Sequence, residues 1–477
     1  MPENSPIKFG TDGWRGIIAE DFTFENVRLC AQAVADYLKQ TGLAEKGLII
    51  GYDTRFASAD FAQACAEVAA ANGIRVYLCS KATPTPVISY GVIARKAGGA
   101  IVITASHNPA RWNGFKIKTE KGASAPTQTA AVIEKSVASI LQSGGVKRMP
   151  LPEAISRKLL EMVDLSPEYI RQVEQLIDLR KLRQARLRVA IDSMHGAGAG
   201  YFKLLLNGGD IKLIEINDKP NPLFPDMLQP EPIAANLGAL SSLVQEANAD
   251  VGLATDGDAD RIGIIDEKGN FLTQLQVFAL LALYLLEVRG QRGPIVKALT
   301  TTTMLYKLGK LYDVPVYETA VGFKNIAPVM MDKNALIGGE ESGGYGFRGH
   351  IPERDAFVAA LFFLDMMVKT GKTPSQLLEY LYSKVGRHYY NRLDIHFPAA
   401  ERQKVTERLA ETNPEFLDGA RVVARDTKDG FRFTLEGGGW LLIRPSGTEP
   451  LLRIYSEESS TERVNRLLGL GKKIAGV

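Results

Sequence analysis

Cysteine is scarce in this chain. Its 477 residues hold three, Cys30, Cys65 and Cys79, in no CxxC or metal-type spacing. So sparse and odd a set argues against a disulfide framework and suits a reducing compartment. Long apolar runs are missing as well. The longest, Val277 to Leu286, falls far short of the ~20 residues a membrane helix needs. The opening MPENSPIKFG has none of the charged-then-apolar pattern of a signal peptide. A cytoplasmic protein with no membrane partner is expected. Charge of one sign is not in excess either. Lys and Arg number 57 against 54 Asp and Glu, a net charge of +3, and the basic residues are scattered, so no electrostatic footprint for nucleic acid exists. Some of them are free to converge on an acidic substrate. No G-x-x-x-x-G-K-[ST] occurs, which excludes a P-loop NTPase, and no G-x-S-x-G signals a nucleophile elbow. His195-Gly196-Ala197-Gly198-Ala199-Gly200 only approximates a dinucleotide fingerprint. Its third glycine comes one place early, and it reads as a tight strand-to-helix turn.

What is present is an alternation of buried-strand and helical patterns. Gly47 to Tyr52 (GLIIGY) reads as a strand, Asp60 to Asn72 as an amphipathic helix and Ile74 to Leu78 as the next strand. Gly99 to Thr104, Leu187 to Ile191, Lys212 to Ile216, Asp250 to Ala254 and Pro294 to Lys297 repeat the strand pattern. Short apolar strands between helices imply parallel sheets covered on both faces. The last ninety or so residues differ. Strands at Asp394–Phe397, Val422–Ala424, Phe431–Leu435, Trp440–Ile443 and Leu452–Tyr455, with turns between them and a helix from about Thr461, predict an α+β unit on an antiparallel sheet. The length suits three or four domains. With linkers near 150, 270 and 387, the expected division is 1–150, 151–270, 271–386 and 387–477.

Five constellations could carry chemistry. Asp256-Gly257-Asp258-Ala259-Asp260-Arg261 follows the strand ADVGLAT. In an ideal strand its carboxylates would spread over ~13 Å, so the chain must curl to bring them onto one hard cation. A calcium loop is a second reading, because Glu267 falls at the twelfth position, although Arg261 stands where that loop needs glycine. An acidic structural turn is a third. Arg444-Pro445-Ser446-Gly447-Thr448-Glu449-Pro450, with Arg453 beyond it, offers backbone N–H groups, hydroxyls and two arginines to phosphate oxygens, or is a surface turn. Gly339-Glu340-Glu341-Ser342-Gly343-Gly344 suits sugar hydroxyls. Adjacent glutamates usually point apart, which disfavours a glycosidase pair with its fixed gap of ~5–9.5 Å; a polar loop remains open. Ser106 leaves the strand GAIVIT for a polar loop, beside His107 and ten residues before Lys116. Taken alone it reads as a turn residue, and sequence neighbours such as Ser106 and His107 rarely point at each other. The fifth is Gly10-Thr11-Asp12-Gly13-Trp14-Arg15-Gly16 near the start.

Together these segments resemble the α-D-phosphohexomutase family, in its phosphoglucomutase and phosphomannomutase branch, over essentially the whole chain. TASHNP resembles the phosphoserine loop, DGDADR the metal loop, GEESGG the sugar-binding loop, RPSGTEP the phosphate-binding loop and GTDGWRG the opening motif. The resemblance implies three α/β sandwich domains with mixed, mostly parallel sheets and a C-terminal α+β domain around one central cleft. It implies one Mg2+ per chain, held by Asp256, Asp258, Asp260 and a phosphate oxygen on Ser106. It places Ser106, His107, Lys116, Arg15 and Arg261 in the catalytic centre, and Glu340, Ser342, Gly322, Lys324, Arg444, Ser446, Gly447, Thr448 and Arg453 on the substrate.

The activity implied is exchange of hexose 1-phosphate and hexose 6-phosphate through phosphoserine, with hexose 1,6-bisphosphate as intermediate and activator. Thr319 to Lys324 and GEESGG look more like glucose and mannose enzymes than glucosamine ones. Phosphomannomutase as the main activity, glucose 1,6-bisphosphate synthesis, a metal-dependent sugar phosphatase and a non-catalytic sugar-phosphate binder are the competing readings. Lys116 is the first candidate for general base, provided its pKa falls from ~10.4 towards neutrality. A monomer or dimer is expected.

Overall fold

The apolar strands assemble into four sheets in the computed structural model, which describes residues 7–10, 12–445 and 451–477. The first sheet contains β1 (Trp14–Ile17), β2 (Leu48–Tyr52), β3 (Val76–Cys79), β4 (Ala100–Ile103), β5 (Trp112–Lys118) and β6 (Leu160–Val163), ordered β1-β5-β4-β2-β3-β6. Its centre is parallel, and β5 runs antiparallel to both β4 and β1. The second contains β7 (Arg188–Asp192), β8 (Lys212–Ile216), β9 (Val251–Thr255), β10 (Ile262–Ile265) and β11 (Phe271–Leu272), ordered β11-β10-β9-β7-β8. The third contains β12 (Ile295–Ala298), β13 (Val316–Thr319), β14 (Ile337–Gly339) and β15 (Tyr345–Phe347), ordered β13-β12-β14-β15. The fourth is antiparallel: β16 (Tyr389–His396), β17 (Phe416–Leu417), β18 (Ala420–Asp426), β19 (Phe431–Leu435), β20 (Trp440–Pro445) and β21 (Leu451–Glu458), with the helix Thr461–Ala475 packed on it.

Three expectations need correction. β6 pairs with β3, so the first sheet reaches past the expected boundary at 150. MPLPEA leads into a short helix, Leu151–Ser156, rather than out of the domain; its prolines mark a turn in the chain, not a break in the core. The boundary at 270 likewise falls just before β11, which pairs with β10 of the second sheet. The polar stretch after Ser106 soon becomes strand β5, whose Asn113, Lys116 and Lys118 are buried. Polar side chains with buried partners hid that strand from a reading based on apolar period.

The signature loops lie at the C-terminal ends of strands: Ser106 follows β4, Asp256 follows β9, Glu340 follows β14, and the arginine and proline of RPSGTEP close β20. In α/β sheets this is the edge where ligands bind. Behind it, the apolar run at 277–286 forms the helix Gln274–Leu283, buried along its length and continued by a π-turn, Tyr284–Val288. A helix apolar on all sides belongs in a core. Among the described residues no helix is long and apolar enough to cross a membrane.

The fourth unit docks on the third through charge. Glu318 at the end of β13 accepts from Arg432 on β19 at 2.6 and 2.7 Å and from Lys297 at 2.8 Å. Burial alone would raise the Glu318 pKa, but Arg432 and Lys297 outweigh it and pull it down to about 2. A depressed carboxylate stabilises above its unfolded pKa of ~4.3 and loses that contribution as pH falls through its folded value. Scattering profiles should therefore show the docked arrangement at pH 5 and its loosening between about pH 4 and 2. The Glu318→Gln variant should lack that pH-dependent component.

Candidate active site

Ser106 sits at a φ of 53°, a left-handed conformation that a serine adopts only when its surroundings demand it. The demand comes from Arg55. Its buried guanidinium donates to the carbonyls of Ser106 (2.6 Å), Asn108 (2.6 Å), Pro109 (2.9 Å) and Trp112 (3.0 Å), so the loop wraps around one cation. Asp53 holds that cation at 3.1 Å and accepts from Thr104 Oγ1 at 2.6 Å, which in turn accepts from the Ser106 N–H at 2.8 Å. Neither Asp53 nor Arg55 was found by sequence reasoning; their only signal is a charged DTR directly after β2. Truncating Arg55 orphans four carbonyls and leaves Asp53 buried without its cation. The Arg55→Ala protein should lose about 3–5 kcal/mol in urea unfolding, well beyond a surface arginine.

The acid loop faces Ser106. Asp256, Asp258 and Asp260 are fully buried, and their ligand atoms lie within 4.8 Å of one another. Asp256 Oδ1 closes the curl by accepting from the N–H groups of Asp260 (3.0 Å) and Arg261 (3.2 Å), with Ala259 at a φ of 56°. Ser106 Oγ donates to Asp256 Oδ2 at 2.8 Å. Approach this close needs glycine. A Cβ on Gly257 would lie 2.5 Å from the Ser106 carbonyl oxygen, and one on Gly196 would lie 2.7 Å from the Gly257 carbonyl. The glycine-rich stretch after β7 is thus packing for the acid loop, not a nucleotide turn.

The residues fit a hard divalent cation. Asp258 Oδ1 and Asp260 Oδ1 are buried with no hydrogen-bond partner, an arrangement costly without a positive ligand. Burial and the neighbouring Asp258 and Asp260 push the Asp256 pKa well up, the response of like charges crowded together. Glu267 takes no part, which removes the calcium-loop reading. It accepts from Thr373 Oγ1 (3.0 Å) and Ser375 N (3.2 Å) at the start of the helix Pro374–Val385.

Lys116 reaches from β5 to Asp258 (2.8 Å), Asp260 (3.3 Å) and Asp12 (2.8 Å). Burial would lower its pKa, but the three carboxylates outweigh burial and raise it. The shift thus runs opposite to the fall towards neutrality that a general base needs. His107 Nδ1 lies 3.5 Å from Ser106 Oγ, so these sequence neighbours do converge. Burial, with Arg261, Arg15, Lys116 and Arg55 around it, holds His107 well below its usual pKa and neutral. Arg15 bonds Asn108 Oδ1 in the serine loop, and Arg261 lies beside Glu231, Asp256 and Asp260.

Arg354 was also missed. Its guanidinium bonds Asp12 from the first unit (2.5 Å), Asp260 from the second (2.8 Å) and Glu340 from its own (3.3 Å). Lys118 adds a second link by meeting Glu353 at 2.6 Å. Asp12 lies inside GTDGWRG, but nothing in the pattern PERDA marks Arg354 as a junction of three domains.

GEESGG divides its work. Glu340 turns inward to Arg354, whereas Glu341 accepts from Tyr390 (2.7 Å) and Arg392 (3.1 Å) of the fourth unit. Ser342 Oγ is buried without a partner. Gly322, at a φ of 112°, caps the helix Phe323–Lys333, and Lys324 Nζ bonds the Gly10 carbonyl at 3.1 Å. Arg444 on β20 stands directly opposite Arg453 on β21, and Arg444 also meets Asp429 at 2.7 Å. Like charges opposite one another cost energy unless an anion joins them. Ser446, Gly447 and Thr448 lie outside the described residues.

Comparison with known proteins agrees over the whole chain. Family models described as phosphoglucomutase/phosphomannomutase match in succession: alpha/beta/alpha domain I over residues 6–143, domain II over 167–269, domain III over 274–385 and the C-terminal domain over 400–469. A phosphoglucomutase/phosphomannomutase of Thermococcus kodakarensis is 31% identical, with 98% of each chain covered. A probable phosphoglucosamine mutase of Methanothermobacter thermautotrophicus is 32% identical, covering 97% of this chain and 96% of its own. The crystal structure of a putative phosphomannomutase from Thermus thermophilus superposes with a TM-score of 0.84 at 33% identity, covering 99% and 100% of the two chains.

Proposed function

The chain belongs to the phosphoglucomutase/phosphomannomutase family, and from that premise we propose that it interconverts hexose 1-phosphate and hexose 6-phosphate through a phosphoryl group carried on Ser106, with glucose the main hexose and mannose the second. The observation that carries this reading is Ser106 Oγ on the rim of the buried acid cluster, 2.8 Å from Asp256.

The enzyme is a phosphohexomutase, and its chemistry is transfer within one hexose. The bond between phosphorus and Ser106 Oγ breaks as one forms to a sugar hydroxyl, whose proton departs. The hexose 1,6-bisphosphate so made turns over, and its other phosphoryl group returns to Oγ. Such transfer asks chiefly for positioning and charge neutralisation. Asp256, Asp258 and Asp260 would hold Mg2+, whose positive charge favours the electron-rich phosphoryl oxygens during transfer. Lys116, Arg261 and Arg15 supply fixed cations around Ser106. His107, whose Nδ1 lies 3.5 Å from Oγ, would take the sugar hydroxyl's proton and return it. Arg444 and Arg453 hold the phosphate that is not reacting, in either orientation of the sugar. The unpartnered Ser342 hydroxyl and Glu340 grip sugar hydroxyls.

A glucosamine substrate is the second reading, favoured by the names of relatives such as the Methanothermobacter protein. Initial rates on glucose, mannose and glucosamine 1-phosphates, with Mg2+ and a trace of hexose 1,6-bisphosphate, discriminate. The proposal expects the fastest conversion with glucose and no release of inorganic phosphate. Faster conversion of glucosamine 1-phosphate would replace glucose with glucosamine, and phosphate release would make the enzyme a phosphatase.

A further inference from the structure

Away from the acid loop, a cavity of about 570 Å³ opens along the seam between the first and third units. Its size falls within the range of small-molecule sites, about 300–1,000 Å³. From the first unit come Ile93 of the helix Thr85–Arg95, Lys96 just after it, Lys46, and Glu120 and Lys121 from the turn after β5. From the third come Met330 and Met331 of the helix Phe323–Lys333 and the stretch Phe347 to Pro352 after β15. None of these residues touches the chemistry placed at Ser106.

Two features of the lining specify a ligand. The first is charge. Lys46, Lys96, Lys121 and Arg348 face a single carboxylate, Glu120. Arg348 is spent on the carbonyls of Asn334 and Arg292, but the three lysines are exposed and make no salt bridge among the described residues. The second is an apolar pair contributed by the two sides. Ile93 is 38% exposed and Met331 40% exposed, although both line a concave surface floored by the buried Met330 and Phe347. Apolar side chains left in water beside unpaired cations suit an anion with a flat apolar body. Methionine sulfur and branched aliphatic carbons pack well on an aromatic ring.

We infer that this seam binds a nucleoside monophosphate, its base between Ile93 and Met331 and its phosphate on the lysine rim. The seam also touches the catalytic frame. Glu120 and Lys121 follow the strand carrying Lys116 and Lys118, and Pro352 precedes Glu353 and Arg354. A ligand there braces the two segments joined by the Lys118–Glu353 pair.

Calorimetric titration of the full chain with adenosine 5′-monophosphate tests the inference without reference to turnover. The expected result is a Kd below about 1 mM, undisturbed by saturating glucose 1-phosphate. Adenosine alone and inorganic phosphate alone should each bind about tenfold more weakly or worse, since each keeps one half of the recognition. Lys46→Glu with Lys121→Glu should weaken binding by about tenfold or more while the basal mutase rate stays unchanged, because both side chains are exposed and lie outside the catalytic machinery. Absence of binding, displacement by glucose 1-phosphate, equal affinity for inorganic phosphate, or unaltered affinity in the lysine variant would each overturn it.

Discussion

Replacing Ser106 by alanine should lower the mutase rate by about 10⁴-fold or more, while the protein unfolds within about 1 kcal/mol of the native one. The two readouts separate because different atoms serve catalysis and folding. The backbone of the serine loop is held by Arg55 on its carbonyls and by Thr104 on the Ser106 N–H, and neither contact involves Oγ. What is lost is the hydrogen bond from Oγ to Asp256 and the longer one to His107 Nδ1 at 3.5 Å, and burial beside two other carboxylates already favours the protonated form of Asp256. A coupled assay run beside urea unfolding checks both halves. Turnover near the native rate would return Ser106 to the status of a turn residue.

The second large effect belongs to the acid loop. Asp258 accepts from Thr85 Oγ1 at 2.6 Å and Lys116 at 2.8 Å through Oδ2, leaving Oδ1 without a partner. Asparagine has the same shape and keeps a neutral acceptor, so Asp258→Asn removes charge with little change in packing. Mg2+ affinity should fall by about 100-fold or more, and kcat by about 10²–10³-fold. In chelator the variant should be less stable than the native protein at neutral pH, because, against the effect of burial, Lys116 and Thr85 hold the Asp258 carboxyl below its usual pKa and so favour its charge in the fold. Added Mg2+ should raise the melting temperature of the native protein and leave the variant nearly unmoved. Equal thermal responses would mean that the cluster does not bind the cation.

Local signals carried much of this architecture. Apolar strand patterns and their spacing marked the sheets' parallel strands, and the short loops at their C-terminal ends stood out because glycine, carboxylate and hydroxyl residues concentrate there. What stayed hidden was long-range pairing. Lys116 and Lys118 disguised β5 as a polar segment, although each is neutralised by an acid more than a hundred residues away. Arg55 and Arg354 look like ordinary charged residues until the fold gathers carbonyls around one and carboxylates around the other. Glu341 shared a motif with Glu340, but its role was set by Arg392 and Tyr390 of another domain. For Lys116 to serve as a base its pKa had to fall; Asp12, whose charge helps raise it, was not placed beside it by the sequence.

The most direct test follows the phosphoryl group. Enzyme charged with ³²P-labelled glucose 1,6-bisphosphate, freed of excess and digested should carry its label on the peptide containing Ser106. Unlabelled glucose 1-phosphate should then chase the label into sugar phosphate at least as fast as steady-state turnover. Label confined to another peptide, or discharged as inorganic phosphate at the rate of turnover, would contradict transfer through Ser106.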